Sequence, residues 1–248
     1  MSKGLVVITG ASSGFGAASA LAFAKLGYPL FLGARRADRL REVAQECERA
    51  GSPKALAHEL DARSKSSIET FCKAAGTPEI LLNNAGLALG RDPVSSVRDE
   101  DLLGVVETNV IGLVRVTRGF LPRMIAAKRG HIINLGSYAA RGAYEGGGVY
   151  AATKHSVRVL SETLRLELAG TNIRVTEMDP GAADTEFSLV RFGDKEKAAK
   201  VYEGFQPLTA DDVADAIVWC ATRPPHVNIS DVVITPTAQA SLTKFHRG

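Results

Sequence analysis

Short apolar runs rich in β-branched residues recur along the chain, each followed by a stretch whose apolar residues fall three and four positions apart. Leu5–Thr9, Pro29–Gly33, Lys54–Leu60, Ile80–Leu82, His131–Leu135, Ile173–Glu177 and Val232–Ile234 read as strands. Helices are predicted after the first strand up to Gly27, then over 37–50, up to Ala75, and over 101–128, 149–169 and 213–221, the last capped by Asp211 or Asp212. Strand–helix alternation carried to about seven strands predicts an α/β fold, a doubly wound Rossmann-type parallel sheet with helices on both faces. The segment 184–205 is polar with few strand signals, and it predicts a helical flap over a cleft, within about 182–208.

The ends of these strands carry the polar chemistry. The first runs into T-G-A-S-S-G-F-G at 9–16 and then a helix, an arrangement that offers free N–H groups and a helix dipole to an anion. Gly10 permits the tight turn, Gly14 lets a pyrophosphate approach, and Gly16 allows close helix packing. The spacing G-x-x-x-G-x-G with no following G-K-S/T excludes a Walker-type loop. After the second strand come Arg35 and Arg36, where an acid would suit the 2′-hydroxyl of NAD. Guanidinium groups there suit the 2′-phosphate of NADP, unless both are simply solvated. Asp61 follows the third strand, placed either to accept from an adenine amino group or to cap the next helix with Ser64. Asn83-Asn84-Ala85-Gly86 ends the fourth strand as a turn or as a ligand-facing loop.

Ser137 lies at the end of the fifth strand, and Tyr150 and Lys154 stand four apart on the predicted helix that follows. A free phenol has a pKa of about 10. A neighbouring cation favours the phenolate, so Lys154 makes Tyr150 a credible acid/base group, with Ser137 holding the oxygen that gains or loses the proton. Taken alone, Y-x-x-x-K is also an ordinary helix-surface pair. Asn109 sits mid-helix among Val106, Val110 and Val114, so if buried it needs partners.

Bulk composition narrows the remaining choices. A length of 248 residues suits one domain, no segment is long and apolar enough to span a bilayer, and the apolar run at 5–8 is too short for a signal peptide. Three isolated cysteines, Cys47, Cys72 and Cys220, fit a reducing cytoplasmic setting better than a disulfide framework. No Cys/His pair has metal-ligand spacing, so no metal site is expected, and the five scattered histidines receive no catalytic role. A net charge of +3 with dispersed basic residues does not point to nucleic acid.

Together, T-G-A-S-S-G-F-G at 9–16, Asp61, N-N-A-G at 83–86, Asn109, Ser137, Y-A-A-T-K at 150–154 and Pro180-Gly181 resemble the short-chain dehydrogenase/reductase family over essentially the whole chain. The resemblance implies Asn109, Ser137, Tyr150 and Lys154 as the catalytic set, with Asn109 holding a water that links Lys154 to solvent. It implies an NADP(H) site from Gly10, Ser12, Ser13, Gly14, Phe15, Gly16, Arg35, Arg36, Asp61, Asn83, Ala85, Gly86, Tyr150, Lys154, Pro180, Gly181 and Thr185. A homotetramer through the helices at 101–128 and 149–169 is the family expectation. The stretches 180–192, 207–218, 226–229 and 236–241 are more narrowly similar to the NADP-dependent 3-hydroxy acid dehydrogenases, which include serine/allo-threonine dehydrogenases and malonic semialdehyde reductases. A small hydroxy acid needs a cationic partner, and Arg191 in the flap or Arg141 near Ser137 is the candidate, with Tyr144 also on the substrate side. Tyr138 departs from the smaller residue that many relatives have after the serine, and Tyr138 and Arg141 are positioned to reshape the pocket. A 3-oxoacyl-thioester or general carbonyl reductase, and a non-enzymatic NADP-sensing module, are the alternatives.

Overall fold

The computed structural model describes residues 3–248. Seven strands form one sheet in the order β3-β2-β1-β4-β5-β6-β7, with every neighbouring pair parallel. They are β1 (Val6–Thr9), β2 (Leu30–Ala34), β3 (Ala55–Glu59), β4 (Ile80–Asn83), β5 (Gly130–Leu135), β6 (Ile173–Pro180) and β7 (Asp231–Ile234). The chain winds outward from β1 in both directions, so the topological switch lies between β1 and β4, where parallel sheets place ligands beyond the carboxyl ends of the strands.

Because helices cover both faces, β1, β2 and β4 are buried along their whole length and read as continuous apolar runs rather than alternating ones. Val6 and Ile8 point to one layer, formed by α1 (Gly14–Lys25), α2 (Ala37–Arg49) and α9 (Ala210–Ala221), with Phe23, Leu40 and Ile217 in its core. Val7 points to the other, where Phe71 of α3 (Lys65–Ala74) and Phe120 of α5 (Leu113–Ala127) meet edge to face with ring centroids 6.1 Å apart. Helix α6 (Gly148–Glu167) closes the same layer through partly buried Leu164.

Several boundaries differ from the sequence reading, each for a local reason. The helix expected over 101–128 is α4 (Asp99–Val106), a π-helical segment Glu107–Gly112 and α5, running on without a break. The wider turn carries Asn109, which the periodicity of the flanking valines conceals. Strand β6 runs to Pro180 rather than ending at Glu177, because β7 pairs with it as far as Pro180↔Ile234. Helix α9 is capped by Thr209, not by Asp211 or Asp212; Asp212 is instead the reciprocal partner in a capping box. The polar segment after β6 holds two short helices, α7 (Glu186–Phe192) and α8 (Lys195–Lys200).

Candidate active site

A cleft of about 890 Å³ opens beyond the carboxyl ends of β1, β2, β4, β5 and β6, roofed by α7 and α8. At its floor Gly10 takes φ +68°, a left-handed conformation, and a Cβ there would lie 2.9 Å from the Ala85 backbone. Thr9, buried at the end of β1, ties the two central loops together: its hydroxyl accepts from the backbone N–H of Asn84 (3.1 Å) and Ala85 (3.0 Å). The Asn84 amide donates to the carbonyls of Thr9 and Gly10 at 2.9 and 3.0 Å. This clasp was not foreseen; a threonine directly before the glycine loop is its only sequence signal.

Of the residues assigned to a dinucleotide, Gly10, Ser12, Ser13, Gly14, Phe15, Arg35, Arg36, Asp61, Ala85, Gly86, Tyr150, Lys154, Pro180, Gly181 and Thr185 line the cleft. Two assigned residues do not. Gly16 is buried in α1, and a Cβ on it would lie 2.4 Å from the Gly10 carbonyl oxygen, so it serves helix packing. Asn83 faces into the protein and donates to Thr117 Oγ1 and Asn134 Oδ1, both at 2.9 Å; its neighbour Asn84 takes the cleft-side place. Strand alternation explains the exchange, since consecutive residues point to opposite faces. Asp61 lines the cleft while its carboxylate accepts from the Arg63 backbone, and Ser64 caps α3.

These groups fit a dinucleotide that carries a 2′-phosphate. Ser13 makes no side-chain cap at the start of α1, which leaves the first-turn N–H groups facing the cleft for a pyrophosphate. The Arg36 guanidinium is gathered by Ser12 Oγ (3.2 Å), Ser13 Oγ (2.6 Å) and the Glu186 carboxylate (2.8 Å). That carboxylate, also bonded by Arg39, stands in for an anion at this place. The two arginines hold the Glu186 pKa down to about 2.

On the other side of the cleft lie Ser137, Tyr150 and Lys154. Ser137 precedes a 3₁₀ turn, Tyr138–Arg141, and accepts from the Ala139 N–H at 3.1 Å, and it lines the cleft together with Tyr150. Lys154 is buried and donates to the Leu135 carbonyl at 2.7 Å, with Nζ 5.8 Å from the Tyr150 ring centre. Burial pushes the lysine pKa down to about 8, opposed chiefly by the field of Asp179. The phenol departs from expectation. Desolvation raises its pKa above the ordinary tyrosine value, and the groups that oppose this are Ser137 and the Arg191 guanidinium, not Lys154. Lys154 turns its proton toward the β5 carbonyl instead.

Asn109 is buried, and its amide clasps the Leu87 backbone, accepting from N–H at 2.9 Å and donating to the carbonyl at 2.8 Å. Its Nδ2 also donates to Thr153 Oγ1 at 3.1 Å. A Cβ on Gly86 would lie 3.3 Å from Asn109 Oδ1 and 3.6 Å from Lys154 Nζ, so both groups converge on that glycine.

The two arginines considered for a substrate acid separate clearly. Arg191 lines the cleft, donating to the Gly90 carbonyl (3.0 Å) and the Tyr144 hydroxyl (3.1 Å), with its guanidinium 5.7 Å from the Tyr150 ring centre. Among the described residues no carboxylate lies within ion-pair distance of it. Arg141 does not line the cleft; its Nε donates to buried Asp179 at 2.8 Å, which removes it as a substrate partner. Tyr138 and Tyr144 are cleft residues.

The family model for the short chain dehydrogenases matches residues 4–195. The NADP-dependent 3-hydroxy acid dehydrogenase YdfG of Salmonella typhi is 42% identical over 242 residues, covering 95% of this chain and 96% of its own. The NADP-dependent 3-hydroxy acid dehydrogenase of Schizosaccharomyces pombe is 40% identical over 248 residues, covering 98% and 96%. Among solved structures, the closed form of serine dehydrogenase complexed with NADP+ superposes with a TM-score of 0.92 at 40% identity, covering 98% of this chain and 100% of that one.

Proposed function

The chain belongs to the short-chain dehydrogenase family, and from that premise we propose that it is an NADP-dependent oxidoreductase acting on a small 3-hydroxy acid, such as serine, allo-threonine or 3-hydroxypropionate, or on the matching 3-oxo acid. The observation that carries the acid specificity is Arg191, a cation without a carboxylate partner among the described residues, set over the Tyr150 ring. A guanidinium there can take a substrate carboxylate while the hydroxyl-bearing carbon lies beside Tyr150 and Ser137.

When bound, the nicotinamide supplies the hydride exchange. The protein's residues handle the oxygen and its proton. Tyr150 Oη takes the hydroxyl proton in oxidation and returns it in reduction, and Ser137 Oγ donates a hydrogen bond that fixes the same oxygen. Lys154, with a pKa pushed down to about 8, exchanges protons near neutral pH. Asn109 orders the Leu87 segment and, with Lys154, borders Gly86, which supports a proton route to solvent through water at that point. Arg36, Ser12 and Ser13 receive the 2′-phosphate, and the start of α1 receives the pyrophosphate. α7 and α8 act as the flap that covers the bound pair. The assembly in this reading is a homotetramer built partly through α5 and α6, which leave Val114, Val159 and Leu166 exposed.

The experiment is to compare Arg191→Ala with the parent on 3-hydroxy acids and on neutral secondary alcohols of similar size. A KM raised about tenfold or more for the acids alone supports the reading, since a charge-assisted hydrogen bond is worth about 1.5–3 kcal/mol. Equal loss on both classes contradicts it.

A further inference from the structure

Behind Ser137, β6 carries two acids two positions apart on the same face, Glu177 and Asp179, both with 0% exposure. Each presses on the backbone just before Ser137. A Cβ on Gly136 would lie 2.0 Å from Asp179 Oδ1 and 2.9 Å from Glu177 Oε1, so only glycine leaves room for the two carboxyls.

Their surroundings are unequal. Asp179 Oδ1 accepts from the Ser137 N–H at 2.9 Å, and Oδ2 accepts from Arg141 Nε at 2.8 Å. One carboxylate thereby holds both ends of the 3₁₀ turn Tyr138–Arg141, the first through Ser137 and the last through the guanidinium. Glu177 has no such donors, and neither of its carboxyl oxygens meets an N–H or O–H donor among the described residues. A buried carboxylate without donors is costly, and two adjoining carboxyls do not both ionise in a buried site. The proton therefore resides on Glu177, which becomes a donor to its neighbour, while Asp179 with its two donors keeps the charge.

We propose that Asp179 is a positioning residue for the reaction: as the charged member of a proton-sharing pair with Glu177, it anchors the Ser137 backbone and supplies the negative field that keeps buried Lys154 protonated. Groups facing the pair are Arg141 from the 3₁₀ turn, Asp231 from β7, and Lys154 from α6. Asp231 is itself paired with Arg165 at 3.5 Å, and Arg141 Nη2 reaches it only at 4.0 Å. Burial pushes the Glu177 pKa up, with the Asp179 and Asp231 charges adding to it, in the direction this assignment requires.

This inference rests on Ser137 and Lys154 being reacting groups, but its test uses the full chain without cofactor or substrate. An inactive parent would refute the functional reading and leave the test intact. Infrared spectroscopy at neutral pH is expected to show a protonated-carboxyl band that disappears in Glu177→Gln. NMR of isotope-labelled lysine, with Lys154 assigned by its loss in Lys154→Met, is expected to give a titration midpoint about one pH unit lower in Asp179→Asn, since removing a nearby anion disfavours the ammonium. Amide exchange at Ser137 is expected to quicken about tenfold in the same variant. Glu177→Gln keeps a neutral donor and is expected to leave the lysine midpoint in place. If Asp179→Asn does not fold, Asp179→Asn combined with Arg141→Gln removes the anion and its guanidinium together and is read the same way. A missing carboxyl band, or a Lys154 midpoint indifferent to Asp179, overturns the proposal.

Discussion

The Glu186 carboxylate, at the start of α7, lies 2.8 Å from the guanidinium of Arg36, the residue just before α2, joining the flap to the loop that receives the 2′-phosphate in our reading. Arg39 binds the other oxygen of the same carboxylate. A phosphate entering here competes with Glu186 for Arg36. All three side chains are more than a third exposed, so the ion pairs are screened and weak.

Glu186→Gln is therefore expected to tighten NADP+ binding by up to about fivefold, as a surface ion pair of about 0–1 kcal/mol allows, and to leave NAD+ binding unchanged. Arg36→Ala is expected to weaken NADP+ by about tenfold or more while sparing NAD+. Calorimetric titration of both cofactors into the three proteins checks this; weaker NADP+ binding in Glu186→Gln would show that Glu186 supports the phosphate site. The Glu186 pKa is lowered, so the stability it contributes is fully present above its unfolded value and is lost only as pH falls through about 2. Cofactor affinity between pH 6 and 9 should not titrate on this group.

Lys154 is lowered too, but here the charged form is the one that the fold disfavours. Its folded pKa is about 8, below the unfolded value near 10.4, so the unfolded chain binds more protons between the two. The charged, buried lysine penalises the fold below about pH 8, and the penalty fades as pH rises toward the unfolded value. Lys154→Met is expected to raise Tm by a few degrees at pH 7, at about 2–4 °C per kcal/mol for a chain of this size, with a smaller gain at pH 10, while abolishing turnover. Thermal melts of both proteins at the two pH values decide it; a lower Tm at pH 7 would mean that the hydrogen bond to Leu135 outweighs the desolvation.

Tyr150→Phe removes the proton carrier and is expected to reduce kcat by about 10²–10⁴-fold, the usual contribution of a positioned acid/base. Ser137→Ala removes the hydroxyl that opposes the raised pKa of the phenol, so the alkaline rise of the rate profile should move to higher pH. Steady-state profiles from pH 6 to 10, with cofactor dissociation constants measured alongside, test both; a Ser137→Ala profile displaced to lower pH would contradict the assignment.

What could be read from the sequence followed from local rules. Buried parallel strands announce themselves as apolar runs, and a glycine loop between strand and helix needs no tertiary information to be recognised. Tyr150, Lys154, Ser137 and Arg36 were placed at strand and helix ends by such rules, and all four line the cleft. The failures are tertiary. Glu177 and Asp179 look like polar residues at a strand end, and only the tertiary fold buries them. Arg141 was indistinguishable from a substrate partner until Asp179 was seen beneath it. Asn83 and Asn84 differ by one position, which in a strand is the difference between core and cleft.

The measurement that most directly tests the account is NADP+ reduction, followed at the nicotinamide absorbance band, across L-serine, L-allo-threonine, 3-hydroxypropionate and 3-hydroxybutyrate, with NAD+ and Tyr150→Phe in parallel. The account predicts turnover of at least one of these acids with NADP+, much weaker with NAD+ and abolished in Tyr150→Phe. Silence on all four acids while neutral alcohols or acyl thioesters are turned over would contradict it.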